Sequence, residues 1–430
     1  MTPSVHFYGG NTLNRLSWLR PNATFVSTAL QSPQTRCIVF KAGEPLVSVQ
    51  PEGGLKTLAK LTTDDLRPVL GDEPFFGQGQ NPGEHAPPDT KPLESARLRG
   101  PNLVFLGVQE PESELSLPST EFRNPTKVED IHGTPYFAFD ATDIALGDLL
   151  SRVSAQQLEF AEPRSATAKW TPFDAGLFSL GRTMIDWLGR RKFCPACGSR
   201  TYSLWAGWKL GCSSLLPWAE NGDKRPCPSS VGLNNYVHPR TDAVVITAVL
   251  DETGNRILLG RNKKFPSAFY STLAGFLEPG ESFEDAVKRE IWEESGVRVH
   301  AVRYHSGQPW PYPANLMIGC YASADSSQPI RTDLDNELED AKWFTREEVL
   351  AVLAHPEGTN IRRREYKNFD EAQDQSTKTA TAGAEPQAPS DLPAFRVPPK
   401  SAIAGVLISQ WARGEVTGLG GGTSTLKGKI

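Results

Sequence analysis

The sequence predicts an α/β protein: a mixed sheet held between helices as an α/β/α sandwich, preceded by a cysteine ribbon and an α+β N-terminal region. Three observations lead there. From Thr241 onward, short apolar runs bounded by turn residues surround one long amphipathic helix, the pattern of a sheet covered by helices. Four of the six cysteines crowd into one segment, as Cys194, Cys197, Cys212 and Cys227. Upstream of them, short apolar strands alternate with turn-rich stretches.

At 430 residues the chain exceeds one ordinary domain, and the expected division is 1–190, 191–238, 239–415 and a flexible tail at 416–430. A hydrophobic content of 38% with 22% charged residues fits a soluble globular protein. The net charge of −5 gives no general footprint for nucleic acid or an anionic membrane. No run approaches the roughly 18 apolar residues a span needs, so no membrane partner is expected. The N-terminus lacks a basic region followed by an apolar one, and the expected location is intracellular, with the cytoplasm favoured.

In the N-terminal region, Cys37-Ile-Val-Phe40, Leu103-Val-Phe-Leu-Gly-Val108 and Tyr136-Phe-Ala-Phe139 are the clearest strands. Residues 72 to 96, rich in Pro, Gly, Gln and Glu, read as a loose insertion. Leu180, Met184 and Leu188 recur at helical spacing and lead into the cysteines. No catalytic constellation stands out here, and a packing or dimerisation role is expected.

Cys194-Pro-Ala-Cys197-Gly198 is a knuckle whose turn can place two sulfurs on one zinc. Cys212 follows at ribbon spacing, but fourteen residues rather than two separate it from Cys227, so an extended loop is expected between these ligands. A structural four-cysteine zinc site is preferred over a redox pair, because no strand-helix context of the thioredoxin kind surrounds it. Cys37 and Cys320 lie in apolar runs and read as buried thiols.

Beyond Thr241, the segments 243–250, 256–260, 271–275, 297–304, 316–322 and 341–344 read as strands and 346–353 as a helix. Residues 363–391 lose periodicity and read as a disordered insertion. Ser401 is a candidate N-cap for a last helix striped by Ile403, Val406, Leu407 and Trp411.

Between the third and fourth of those strands runs Gly275-Phe-Leu-Glu-Pro-Gly-Glu281 followed by an acidic-starting helix that Gly296 stops. Glu290, Glu293 and Glu294 stand at i, i+3 and i+4, so their carboxylates share one face while Ala286, Val287 and Ile291 face a core. Such clustered oxygens suit Mg²⁺ or Mn²⁺. Phe276 is a candidate to stack on a nucleotide base. Downstream, Ser306-Gly-Gln308-Pro-Trp310-Pro-Tyr312-Pro313 is stiffened by alternating prolines, and it can hold Trp310 and Tyr312 as a rigid stacking wall.

Gly, five residues, Glu, seven residues, Arg-Glu, an aliphatic, any residue, Glu-Glu, any residue, Gly, an aliphatic is the Nudix box, and 275–297 match it throughout. With the ribbon upstream and Gln308-Pro-Trp-Pro ahead of Leu316-Met317, the chain resembles the NADH pyrophosphatase family of Nudix hydrolases. It departs by Gly307 at a serine, Tyr312 at a phenylalanine, the split second knuckle and His238 where relatives can carry an aromatic. The resemblance implies Mg²⁺- or Mn²⁺-dependent hydrolysis of NADH or NAD⁺ to nicotinamide mononucleotide and AMP, in some members NAD-cap removal from RNA, and commonly a homodimer. It implies metal binding by Glu290, Glu293 and Glu294, with Arg289 steadying them and Glu281 nearby. It also implies a further carboxylate or base at Glu337, with Glu339 as its rival, and substrate contacts from Phe276, Gln308, Trp310 and Tyr312. Some relatives are peroxisomal, though Lys-Gly-Lys-Ile430 is not a Ser-Lys-Leu type of address. A Nudix hydrolase of ADP-ribose or a diadenosine polyphosphate, and an inactive zinc-ribbon binding protein, are the alternatives; the Gln-Pro-Trp-Pro motif speaks against the first and the intact box against the second.

Overall fold

The structure, a computed structural model, describes residues 6–71, 73–79, 81, 83–111, 127–128, 131–146, 157–219, 227–230, 237–263, 265–266, 268–361, 365 and 393–416. These form two compact units. One comprises Tyr8–Thr241 with Pro311–Ala314; the other comprises Asp242–Trp310, the described residues from Asn315 onward, and His6 and Phe7. The expected insertion at 363–391 (Glu365 apart), the tail beyond Val416 and half of the loop between Cys212 and Cys227 lie outside the described residues. Among the described residues no helix is long and apolar enough to cross a membrane.

The first unit holds β1 (Arg36–Lys41), β2 (Glu44–Val49), β3 (Lys56–Leu58), β4 (Leu103–Gln109), β5 (Thr134–Asp140) and β6 (Gln157–Phe160). The sheet order is β3-β2-β1-β5-β4, with β6 also on β2, and β1 runs parallel to β5. Strand alternation sends Cys37, Val39, Phe137 and Phe139 into one core with Phe25 of α1 (Ala23–Gln31) and Leu66 of α2 (Thr63–Leu70). The opposite face takes α4 (Pro172–Arg190), which follows the short α3 (Pro163–Thr167). Phe178 of α4 packs at 6.0 Å from Phe40, and a β-carbon at Gly181 would strike the Phe40 ring, so the helix lies close on the sheet there. Thr171 caps α4 and Pro172 opens it, which starts the helix well before the apolar stripe that predicts it. The ribbon, β7 (Thr201–Leu204) antiparallel to β8 (Lys209–Cys212), falls within this unit.

In the second unit the sheet order is β12-β13-β9-β10-β14, with β11 also on β9. The strands are β9 (Asp242–Leu250), β10 (Arg256–Asn262), β11 (Leu273–Phe276), β12 (Val299–Trp310), β13 (Asn315–Ala324) and β14 (Leu338–Thr345). Val245 and Val249 point to α5 (Phe283–Ser295), where Ala286, Val287 and Ile291 meet them. Ile246, Ala248 and Leu250 point the other way, to Val349 of α6 (Arg346–Ala354) and to Ile403, Leu407 and Trp411 of α7 (Ile403–Ala412). Helices thus cover both faces of a mixed sheet.

Two expectations need correction. The strand expected at 297–304 runs on to Trp310, through Pro309. It lies at the sheet edge beside β13, where a residue without an N–H breaks no ladder. Ser401 does not cap α7: Ala402 holds the N-cap position without a side-chain bond. Gln308 does that work instead, its Oε1 accepting from the Ile403 N–H at 2.9 Å and its Nε2 donating to the Ser401 carbonyl at 3.2 Å.

Candidate active site

α5 is started and stopped by local chemistry. Gly280, at φ 94°, turns the chain, and Ser282 closes a capping box with Asp285 that the acidic pattern alone did not reveal. Gly296 ends the helix in the left-handed region at φ 71°. β11 delivers Gly275 against this helix, and a β-carbon there would overlap the Glu290 carboxylate, so a side chain at this position would displace that carboxylate.

Arg289 organises the acidic side chains. Its Nε and Nη2 donate to the two oxygens of Glu281 at 2.6 and 2.9 Å. Nη1 donates to Glu290 at 2.8 Å and Glu293 at 3.0 Å, and Nη2 also reaches the Phe276 carbonyl at 2.8 Å. This bidentate grip holds the Glu281 carboxyl down at about 2. Glu290 is pushed the other way: burial raises it, the Arg289 guanidinium opposes, and the charges of Glu293 and Glu337 add to the rise.

Glu294 is the most constrained of the set. It is 3% exposed, and its Oε2 has no hydrogen-bond partner. Burial first, then the negative charges of Glu337, Glu290 and Asp335, lift its carboxyl well above the usual range, against only the Ala274 N–H. A buried, partnerless carboxylate oxygen facing other carboxylates is what a divalent cation would satisfy, so the residues fit a hard metal ion. The three helix glutamates are not drawn tightly together: among the described residues, only the cysteines bring three or more ligand atoms within 4.8 Å of one another.

Glu337 and Glu339 separate clearly. Glu337 accepts from Asn262 Nδ2 at 2.8 Å, and its charge bears on both Glu290 and Glu294. Glu339 pairs with Arg261 at 3.3 Å. Asn262 is a residue that sequence reasoning missed. The β10–β14 register, Asn262 opposite Leu338, brings it beside Glu337, and nothing local foreshadows that pairing.

The expected substrate contacts divide. Phe276 is 56% exposed directly after Gly275, and Trp310 is half-buried at the end of β12. Gln308 is fully buried with both ends of its amide committed to the start of α7, so it presents nothing to a ligand. Tyr312 is no stacking wall. Its ring is buried under the Arg164 and Arg182 guanidiniums at 3.9 and 4.8 Å, with its hydroxyl 3.5 Å from that of Tyr8. His238 stands exposed with its ring 5.5 Å from Trp205.

The cysteines converge as their spacing predicts. Cys194 and Cys227 sulfurs are 3.6 Å apart and those of Cys197 and Cys212 3.3 Å. Four sulfurs about 2.3 Å from one zinc stand roughly 3.8 Å apart, whereas a disulfide needs about 2.05 Å. Gly198 at φ 74° folds back under the knuckle, its N–H bonding to the Cys194 carbonyl at 2.8 Å. The arrangement can hold one metal ion.

Comparison with known proteins gives two family matches: residues 239–369 to the NUDIX domain, and residues 34–187 to the NADH pyrophosphatase-like rudimentary NUDIX domain. The chain is 36% identical over 355 residues to the NAD-capped RNA hydrolase of Schizosaccharomyces pombe, covering 82% of this chain and 86% of that one. It is 33% identical over 418 residues to the NAD-capped RNA hydrolase NUDT12 of Homo sapiens, covering 95% of this chain and 73% of the relative. A third relative, the mitochondrial NAD(P)H pyrophosphatase NUDT13 of Homo sapiens, is 37% identical over 196 residues, 45% of this chain and 50% of that protein.

Proposed function

The chain belongs to the NADH pyrophosphatase family of Nudix hydrolases, and from that premise we propose that it hydrolyses the pyrophosphate bond of NADH and NAD⁺, giving nicotinamide mononucleotide (reduced from NADH) and AMP, and cleaves the same bond in NAD-capped RNA. The observation that carries this reading is the partnerless Glu294 oxygen, buried beside Glu290 and within reach of the Glu337 charge, at a box whose glycine leaves room for the Glu290 carboxylate.

In this reading Glu290, Glu293, Glu294 and Glu337 hold Mg²⁺ or Mn²⁺. When bound, the metal neutralises the pyrophosphate and lowers the pKa of a water for attack on phosphorus. Arg289 fixes Glu290 and Glu293 from one side, and Asn262 orients Glu337, which serves as a metal ligand or as the base. Phe276 and Trp310 are assigned to the bases of the dinucleotide; Gln308 and Tyr312 are positioning residues. Holding the bases leaves one phosphorus in line with the water.

Cys194, Cys197, Cys212 and Cys227 hold a structural zinc with no open position for chemistry. The domain division 1–190, 191–238, 239–415 and a tail at 416–430, read from the pattern along the chain, and a homodimeric assembly, taken from the resemblance, complete the proposal.

The test is parallel incubation with NADH, NAD⁺, ADP-ribose and NAD-capped RNA in Mg²⁺. AMP and nicotinamide mononucleotides from the first two are the expected products. Free nicotinamide would mean glycosidic cleavage and would overturn the reading. A clear preference for ADP-ribose would favour the alternative hydrolase.

A further inference from the structure

A second surface of α5 is left unused by this chemistry. Helix geometry places Asp285, Lys288, Arg289 and Trp292 on the side turned away from Ala286, Val287 and Ile291. Together with Arg298 and Val299 they line a groove of about 550 Å³. Trp292 is 43% exposed, an unusual position for a tryptophan with no core to fill. Lys288 and Arg298 have no ion-pair partner among the described residues. Asp285 is engaged by Ser282, whose hydroxyl donates to its Oδ2 at 2.8 Å.

Arg289 is the wall between this groove and the carboxylates, because it lines the one and grips Glu281, Glu290 and Glu293 in the other. We propose that the groove on the outer face of α5 takes the first nucleotides of a single-stranded RNA whose NAD cap occupies the neighbouring carboxylate site. One base stacks on Trp292, and the phosphates on either side meet Lys288 and Arg298. An aromatic platform flanked by unpaired cations is the general chemistry of single-strand binding, tolerant of sequence because every base has a π-face. The net charge of −5 gives no such footprint over the surface at large; the groove is a local exception, which keeps the contact short. A volume of this size holds one or two nucleotides, not a duplex.

This inference rests on the reading of NAD-capped RNA as a substrate, and the test separates the two. Wild type, Trp292→Ala and the double variant Lys288→Ala/Arg298→Ala are assayed on free NADH and on a 5′-NAD-capped single-stranded RNA. Expected is an NADH rate within about twofold of wild type in every variant. KM for capped RNA rises about tenfold in Trp292→Ala, the loss of one stacked base. In the double variant the slope of log KM for RNA against log salt flattens by about one per cation removed. Trp292→Phe, which keeps a stacking face, restores most of the RNA affinity. If wild type cleaves capped RNA and the variants do so unchanged, the groove is not the path and the inference falls alone. Equal losses on NADH and RNA would mean a structural role and would also overturn it. If wild type cleaves NADH but leaves capped RNA intact, the substrate reading itself fails and takes the groove with it.

Discussion

In the first unit β1 lies parallel to β5, with α1 and α2 on one face and α4 on the other; in the second, β9 lies parallel to β13, with α5 on one face and α6 and α7 on the other. Each unit also has a helix begun by a capping box: Thr62 with Asp65 for α2, Ser282 with Asp285 for α5. There the likeness ends. α2 is eight residues long, carries Pro68, and keeps its acids, Asp64 and Asp65, in the first turn. α5 runs thirteen residues and places Glu290, Glu293 and Glu294 toward its end, with no basic residue in the last turn. Acids at a helix start answer to the macrodipole and the cap. Acids near the end oppose the dipole and one another, so they need a cation from elsewhere. The position of the carboxylates, not their number, separates a helix that only packs from one equipped for metal chemistry.

The hairpins differ in the same spirit. β1 turns into β2 through the two residues Ala42 and Gly43, both left-handed at φ 50° and 81°, with the Ala42 N–H donating to Thr142 Oγ1 at 3.0 Å and the Gly43 carbonyl accepting from Arg182 Nε at 3.1 Å. β9 turns into β10 through a longer loop that Asp251 organises, its Oδ1 accepting from the N–H groups of Asn255 and Arg256 at 2.9 and 3.1 Å.

The comparison breaks most sharply at Glu294. Glu294→Gln keeps the shape and removes the charge, so kcat should fall about a thousandfold with the circular dichroism spectrum unchanged. Asp64→Asn in α2 should leave kcat within about twofold. Equal effects on both helices would erase the distinction.

Arg289→Ala should follow, with a loss of about a hundredfold in kcat/KM, because Glu281, Glu290 and Glu293 lose their shared partner. Arg289→Lys should recover only part of that, since one ammonium cannot reproduce the fork on Glu281. Full recovery by lysine would reduce the residue to a point charge.

In the ribbon, elemental analysis should find about one zinc per chain. Cys227→Ser should lower Tm by more than about 5 °C while the folded enzyme keeps its kcat within about threefold. A zinc-free native protein would remove the structural assignment.

Smaller still is the cap. Thr62→Ala, which removes the N-cap of α2, should cost about 1 kcal/mol in thermal or urea unfolding and leave turnover alone.

The smallest effect belongs to the Asp251 loop. Burial alone would raise its carboxyl, but the hydrogen bonds from Arg256, Thr253 and Asn255 win and leave it lowered. A carboxyl lowered by folding stabilises above its ordinary pKa and loses that contribution as the pH falls through the folded value. Asp251→Asn should therefore flatten the acid limb of the stability curve below about pH 4. Replacing Ala42 in the two-residue turn, which no carboxylate organises in this way, should not change that limb.

Much of this molecule is written in short-range pattern. The caps of α5, the shared face of Glu290 and Glu294, the knuckle at Cys194–Cys197 and the two-sided alternation of β9 are each determined within one helical turn, one tight turn or one pleat. Sequence by itself therefore determined where the candidate metal face and the cysteine cluster lie. Tertiary structure decided the rest. Gln308 reads locally as part of a binding loop, but its partner Ile403 is 95 residues away; Tyr312 finds Tyr8 across 304 residues. Glu337 and Glu339 lie two apart on an acidic stretch, and only the β10–β14 register turns the first toward Asn262 and leaves the second to Arg261. A side chain that can both donate and accept, or whose ring can stack on a base or on a guanidinium, carries no mark of which partner it will meet. Only the packing of strands and helices distant in sequence settles that choice.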